Sequence, residues 1–375
     1  MFGTQSSSIP ELSTLPYCLF TTSGRAAIGL ALEELQVGRG DRVLVPSYHC
    51  PTMVSPIAAR GAVPVFFPID SEGLPLVAEL ERMDLQSVKA MLAVHYFGIP
   101  RSLREAREFC DRHRIGLIED CAHSYFGAAD GRQVGTWGDM AIASLTKFFP
   151  VPEGGCLLSA GRPLVTAGLN GQGVAAGLRQ LVNTIQLGAR HGHFRPLGTL
   201  LNGAFAILDL LRGRKVDAAH ASRQYLIEPD PDSATPPFDV ELAHRAPAPV
   251  ARWIALRANR QRIVDRRRRN YRLLVECLTG VAGLRPLVPD LPEAAVPYVF
   301  PVWVERPDLS YHPLRLEGIP VFRWDILWPG VAQIQGDAGL EWSRHVFQLG
   351  CHQDLSDADI RSIARIVRRI VGGAV

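Results

Sequence analysis

Lysine is almost missing from this chain of 375 residues: Lys89, Lys147 and Lys215 are the only ones among 40 basic residues. Where a plain positive charge suffices, the chain uses arginine. A retained lysine is therefore a candidate for what arginine cannot do, which is to lose a proton and act as an amine nucleophile. Excess charge is missing too. The 40 basic residues face 37 acidic ones, a formal charge of +3, which argues against a dedicated nucleic-acid binder. The seven cysteines are odd in number and form no CxxC pair, so neither a disulfide framework nor a zinc ribbon is indicated and a reducing compartment fits. No long apolar run occurs. The most membrane-like stretch, 199–211, is short and interrupted by Asn202 and Asp209, whereas a bilayer needs roughly 20 apolar residues. Met1 to Pro10 is polar, with no signal-peptide core. The expectation is a soluble, cytoplasmic protein. With 47% hydrophobic residues and no glycine period, disorder and collagen-like order are excluded.

What is present alternates. Residues 24–36 carry apolar positions at helical spacing and stop at Gly38 and Gly40; 42–46 reads as a strand, 52–60 as a helix and 63–67 as a strand. A buried strand follows at 89–97, a charged amphipathic helix at 101–114, and a strand at 115–120 that ends in two acids. Short strands follow at 140–144 and 156–159. Strands alternating with helices predict an α/β fold with a mostly parallel sheet covered on both faces, and chemistry gathered where strands end.

Composition shifts near residue 160. Residues 161–216 hold Arg162, Arg179, Arg190, Arg195, Arg212, Arg214 and Lys215 against Asp209 alone. This basic segment suits an anionic substrate such as a nucleotide diphosphate, a membrane surface, or a packing excursion that meets the acidic link at 228–241. Residues 251–275 read as one arginine-laden helix, with Arg266–Arg269 forming a solvated face with one or two internal ion pairs in preference to a nucleic-acid patch. Strands at 298–304 and 319–322, and a last helix from Asp357 capped by Ser356, complete a smaller α+β unit. The expected division is an N-terminal arm (1–20), a large α/β domain (21–245) and a small domain (246–375).

Three pieces carry chemistry. Lys147 follows a strand in ASLTKFFPVPEGG, on a loop constrained by Pro150, Pro152, Gly154 and Gly155. Partial desolvation there would lower its pKa and favour attack on carbonyls, with Ser144 near enough to donate to an anion; the segment alone leaves a snorkelling surface lysine equally open. Asp120 ends a buried strand and needs a cationic or hydrogen-bonding partner. A protonated pyridine nitrogen would serve, with His123 lying against a planar ring; a turn-capping Asp120 and a packed His123 are the alternative. Last, Thr22-Ser23-Gly24-Arg25-Ala26 opens a helix, whose free N–H groups and the Arg25 fork could cradle phosphate. Together these are an amine, a pyridine-nitrogen carboxylate and a phosphate cradle, the parts that pyridoxal 5′-phosphate requires.

The segments SGRAAIGLAL, GDRVLVPSYHCPT, GLIEDCAHSYFG, GRQVGTWGDMAIASLTK and EGGCLLS, with RRRRNYRLLVECL and FQLGCHQDLSDADI near the end, resemble the DegT/StrS family of sugar aminotransferases. The match runs from about residue 20 onward and is poor across 160–245. The resemblance implies a fold-type-I pyridoxal-phosphate transferase, homodimeric with shared active sites. Its substrates would be an amino acid donor such as glutamate and a keto group on a nucleotide-linked or activated sugar. It also implies that Lys147 forms the Schiff base and moves the proton, that Asp120 pairs with the pyridine nitrogen, and that His123 packs on the ring. Ser144 and Gly24, Arg25 and Ala26 would then hold the phosphate. No metal is implied.

The chain also departs from the family. Arg25 stands where the family has threonine. Cys50 stands where many members place a ring-stacking aromatic, a role that falls to Tyr48 or His49 or is dispensed with. SLTK is two residues shorter than the commoner serine-to-lysine spacing. Cys50 and Cys121 are expected to be buried, inert thiols.

Overall fold

The computed structural model describes residues 8–165, 168–171, 182 and 238–373; most of the basic 161–216 segment, the 199–211 stretch and Lys215 lie outside them. The first half of the chain builds one seven-stranded sheet. Its strands are β1 (Tyr17–Thr21), β2 (Arg42–Pro46), β3 (Val63–Phe67), β4 (Val88–Val94), β5 (Gly116–Asp120), β8 (Met140–Ser144) and β9 (Gly155–Ser159). A small ribbon, β6 (Ala128–Ala129) with β7 (Arg132–Gln133), lies between β5 and β8. The order across the sheet is β1-β9-β8-β5-β4-β2-β3. From β3 to β8 every pairing is parallel, and β9 runs antiparallel between β8 and β1. Parallel strands buried on both faces read as continuous apolar runs, as Ala90 to Val94 does. Tyr17–Thr21 fall largely inside the stretch read as an arm, yet they pair along all of β9.

Helices α1 (Gly24–Glu34), α2 (Pro51–Ala59), α3 (Val77–Leu80) and α4 (Arg104–His113) connect these strands. Ser23 starts α1 by accepting the Ala26 N–H on its Oγ at 3.1 Å. The middle of α1 is buried on all sides, from Ala26 to Leu32.

The strand expected over 89–97 ends at Val94. Tyr96–Gly98 form instead a tight turn in which Phe97 has φ 61° and Gly98 φ 84°. A Cβ on Gly98 would fall 2.3 Å from the Tyr298 nitrogen, so only glycine allows that approach.

The C-terminal part holds a four-stranded antiparallel sheet in the order β10 (Leu284–Pro286), β11 (Val299–Val304), β13 (Val346–Gly350), β12 (Val321–Phe322). The sequence showed two of these strands. Helices α5 (Val240–Ala243), α6 (Pro249–Arg257), α7 (Arg260–Leu278), α8 (Pro307–Leu316), α9 (Gly339–His345) and α10 (Asp357–Gly372) surround it. The single helix expected over 251–275 is two, α6 and α7. Ala258 leaves the helical region and Asn259 restarts the chain by accepting the Arg262 N–H at 2.9 Å. Ser356 and Asp359 form the expected reciprocal cap of α10. No described helix is long and apolar enough to cross a membrane.

Candidate active site

The carboxyl ends of β4, β5 and β8 and the start of α1 enclose a cleft of about 240 Å³, beyond the strand ends where α/β folds place ligands. Lys147, Asp120, His123, Ser144, Gly24 and Arg25 all line it. Ala26 is not among the cleft-lining residues but lines an adjoining hollow with Thr22, Phe238 and Leu242, and its N–H is already taken by Ser23.

Asp120 ends β5 and is 3% exposed. One carboxylate oxygen accepts the Ala122 N–H at 2.8 Å. Burial raises its pKa above the ordinary value, and the nearby Lys147 charge opposes that rise. Lys147 ends a short 3₁₀ turn (Leu145–Lys147) just beyond β8. Burial pulls its pKa below that of an ordinary lysine, with Asp120 pulling the other way. Its Nζ lies 5.4 Å from the centre of the Tyr298 ring. His123 is buried, and the Phe97 N–H donates to its Nδ1 at 3.3 Å. Burial first, and the Lys147 charge second, hold its pKa well below the usual histidine value. The cleft thus offers a buried acceptor, an amine with a depressed pKa and a neutral imidazole.

The other end of the cleft is cationic. Ser144 ends β8 beside Gly24, where a Cβ would lie 3.4 Å from the Ser144 Cβ. Gly155 packs tighter still, since a Cβ there would fall 2.4 Å from the Ser23 carbonyl carbon. Strand β9 thereby presses against the opening of α1, whose first N–H groups and positive dipole end face the cleft with the half-buried Arg25. A planar cationic ring carrying an anionic arm fits this distribution of donors and acceptors.

Of the three residues left open in PSYHC, Cys50 is the one in the cleft. Tyr48 is fully buried among Tyr96, Trp324 and Trp342, and its hydroxyl accepts from Gln348 at 3.3 Å. His49 stacks on Phe66 at 4.8 Å and accepts the Trp328 N–H at 3.0 Å. The expectation of a buried Cys50 is therefore corrected. Its thiol is half-buried, 3.0 Å from the Thr52 hydroxyl, whereas Cys121 is buried as expected. The aromatic wall comes from Trp324, 5.1 Å from the His123 ring. Sequence reading passed over it, since GIPVFRW gives no sign of which face the tryptophan takes.

Behind Asp120, Glu119 faces the other way. It accepts from His95 Nε2 at 2.8 Å and from the N–H groups of Gly135, Trp137 and Gly138. Burial opposes its ionisation, but these donors prevail and its pKa is lowered. His95, Glu119 and Cys121 are close enough to share a cation, yet their bonds tie them to one another and to the 135–138 loop.

The arginine run is also corrected. Arg269 is exposed and pairs with Asp357, as a solvated face would. Arg267 is fully buried, and Arg268 donates to the carbonyls of Pro292 and Ala295.

Comparisons with known proteins agree with this geometry. A GDP-perosamine synthase from Vibrio cholerae is 34% identical over 174 residues, 45% of this chain and 47% of the relative. An L-glutamine:2-deoxy-scyllo-inosose aminotransferase from Streptomyces kanamyceticus is 35% identical over 149 residues, 39% and 35% of the two chains. The matched part of the chain thus spans less than half the length of these relatives. A Streptococcus pneumoniae protein solved in its PLP form shares the fold, at TM-score 0.64 and 17% identity over 97% of this chain and 89% of that one. Residues 8–167 match the model of the DegT/DnrJ/EryC1/StrS aminotransferases. That matched stretch, similar to the DegT/DnrJ/EryC1/StrS aminotransferases, holds Lys147, Asp120, His123, Ser144 and the opening of α1.

Proposed function

We propose that this chain is a pyridoxal-phosphate-dependent aminotransferase. It would move an amino group from glutamate or glutamine to a keto group on a nucleotide-linked or otherwise activated sugar. The observation that carries the reading is one cleft with Lys147 and Asp120 together at one end and Gly24, Arg25 and Ser144 at the other. The named relatives, which act on related acceptors, support the substrate class.

When bound, pyridoxal 5′-phosphate supplies a carbonyl that captures amines and a ring that accepts an electron pair. Asp120 holds the proton on the pyridine nitrogen, since a carboxylate short of partners in a buried site is stabilised by a cation. His123, kept neutral, offers a ring face without adding charge. The N–H groups of Gly24 and Arg25, the Arg25 guanidinium and the Ser144 hydroxyl hold the phosphate. Lys147 would hold the carbonyl end of the cofactor through Nζ, and the same amine would carry the proton taken from the donor α-carbon and given to the acceptor. Lysine suits both tasks because burial favours the neutral amine. The enzyme works as a homodimer with shared sites in the cytoplasm, an assignment that rests on the family resemblance and accords with seven free thiols.

The test is a single turnover of the purified protein loaded with pyridoxal phosphate. Glutamate or glutamine should yield stoichiometric pyridoxamine phosphate, and borohydride should fix the cofactor on Lys147 alone. Lys147→Arg, which keeps the charge, should lose both. Failure of every amino donor to give pyridoxamine phosphate sinks the reading and favours a lyase.

A further inference from the structure

Arg267 is 0% exposed, and among the described residues its guanidinium donates to neutral acceptors rather than to a carboxylate. Its Nε donates to Gln353 Oε1 at 2.6 Å, its Nη1 to the carbonyls of Pro297 at 3.1 Å and Tyr298 at 2.9 Å, and its Nη2 to the carbonyl of Lys147 at 2.8 Å. The guanidinium lies 4.7 Å from the Phe148 ring and 6.0 Å from the Tyr298 ring. Gln353 then donates to the Phe148 carbonyl at 3.0 Å. Two side chains from the C-terminal part therefore grip consecutive carbonyls, those of Lys147 and Phe148.

Burying a guanidinium costs desolvation energy that neutral acceptors only partly return. An apolar residue of similar volume could fill the space, so packing alone does not explain the charge. What the fork adds is direction, because its N–H groups are fixed in one plane. That direction matters at Lys147. The β8–β9 ladder ends at Ser144↔Gly155, three residues short of it. Beyond that point the Leu145 N–H still reaches the Gly154 carbonyl at 2.9 Å and the Phe148 and Phe149 N–H groups close back on the Leu145 carbonyl, but a carbonyl at the end of a 3₁₀ turn lacks a partner within the turn. The same guanidinium fixes the Tyr298 carbonyl, and the Tyr298 ring stands between His123, at 4.6 Å, and the Lys147 amine.

We propose that Arg267, backed by Gln353, is the positioning residue for the reactive amine: it sets the Lys147 main chain so that Nζ stays in the cleft beside Asp120. The proposal rests on the reading of Lys147 as the cofactor-binding lysine. It assigns to two residues of the C-terminal part, outside the stretch that matches the family model, control over an amine more than a hundred residues away.

The small number of lysines makes this measurable without turnover. Reductive methylation with ¹³C-formaldehyde labels Lys89, Lys147, Lys215 and the chain amine, and Lys147→Arg assigns the Lys147 signal. In the cofactor-free wild type that signal should titrate below the ordinary lysine value. In Arg267→Met it should move to the position and midpoint of an exposed lysine. Formation of the borohydride-trapped cofactor adduct should slow on the order of 10²-fold, as expected when a reacting group is misplaced by about 1 Å. Arg267→Lys, which keeps the charge without the fork, should recover only a minor part of the rate. Gln353→Leu should shift both readouts in the same direction by less. The proposal is overturned if Arg267→Met, or Arg267→Lys should the methionine variant not fold, is folded and leaves the Lys147 signal and adduct rate as in wild type. If the wild-type adduct instead lies on Lys89 or Lys215, the lysine assignment fails, whatever Arg267 does.

Discussion

The backbone N–H of Phe97 donates to Nδ1 of His123 at 3.3 Å, from a residue held at φ 61°. A non-glycine residue in the left-handed region is strained by roughly 1 kcal/mol or more and persists only where its surroundings fix it. Here the Phe97 carbonyl is held by the Tyr298 N–H at 2.7 Å. The donated proton makes Nδ1 the acceptor and leaves the hydrogen on Nε2. The tautomer of His123 thus follows from one strained turn, while burial and the Lys147 charge keep the ring neutral. In ¹⁵N spectra of histidine-labelled protein, His123 should show an unprotonated Nδ1 and a protonated Nε2, and should not titrate where an ordinary histidine does. A cationic His123 at pH 6 would contradict this.

Asp120 should weaken the fold while serving the site. Its pKa is raised by burial, so the folded state holds a proton that the unfolded chain releases. That contribution is fully present below the unfolded value and is lost as pH rises through the folded one. Asp120→Asn, uncharged throughout, should therefore melt a few degrees higher than the cofactor-free wild type at pH 8, with the difference vanishing near pH 4. The same variant should bind the cofactor more weakly, as read by equilibrium dialysis. A lower melting temperature at pH 8 would show that Asp120 is structural.

His49 sets an acid limit. Burial lowers its pKa from 6.5 to about 4. Between those values the unfolded chain takes up a proton that the folded protein refuses. Stability is lost as pH falls through this window, by roughly 3 kcal/mol in all. Urea unfolding at pH 7 and pH 4 should show the loss, and His49→Asn should reduce the difference by about that amount.

Gly155 fixes how closely β9 approaches the opening of α1. In Gly155→Ala the new Cβ meets backbone atoms of Ser23 and Gly24 at 2.4 to 2.7 Å, and backbone gives way less readily than a side-chain tip. A loss of about 1–3 kcal/mol is expected in urea unfolding. Weaker retention of phosphate or pyridoxal phosphate should accompany it, because the displaced segment carries the Gly24 and Arg25 N–H groups. Unchanged binding with lowered stability would separate the two roles.

Much of the large sheet was legible in the sequence, because its signals are local. The alternation of apolar runs with amphipathic stretches marked β2 to β5, β8 and β9. Gly38 and Gly40, and Ser356 with Asp359, marked helix ends. Lys147 stood out by scarcity and Asp120 by its place at the end of an apolar strand. Periodicity could not decide which way side chains turn when their partners lie far along the chain. Cys50 rather than Tyr48 or His49 faces the cleft because the two rings find apolar neighbours, Trp342 and Phe66 among them. Trp324 reaches His123 across 201 residues of sequence, and Arg267 reaches the Lys147 carbonyl across 120. In the sequence Arg267 is one of four consecutive arginines; helical geometry turns it inward while Arg269 meets solvent. The sequence by itself determined the residue types, the order of the elements and the lysine with its carboxylate. The tertiary structure decided which aromatic walls the cleft and which arginine holds the lysine in place, because only close packing brings carbonyls from three segments within reach of one guanidinium.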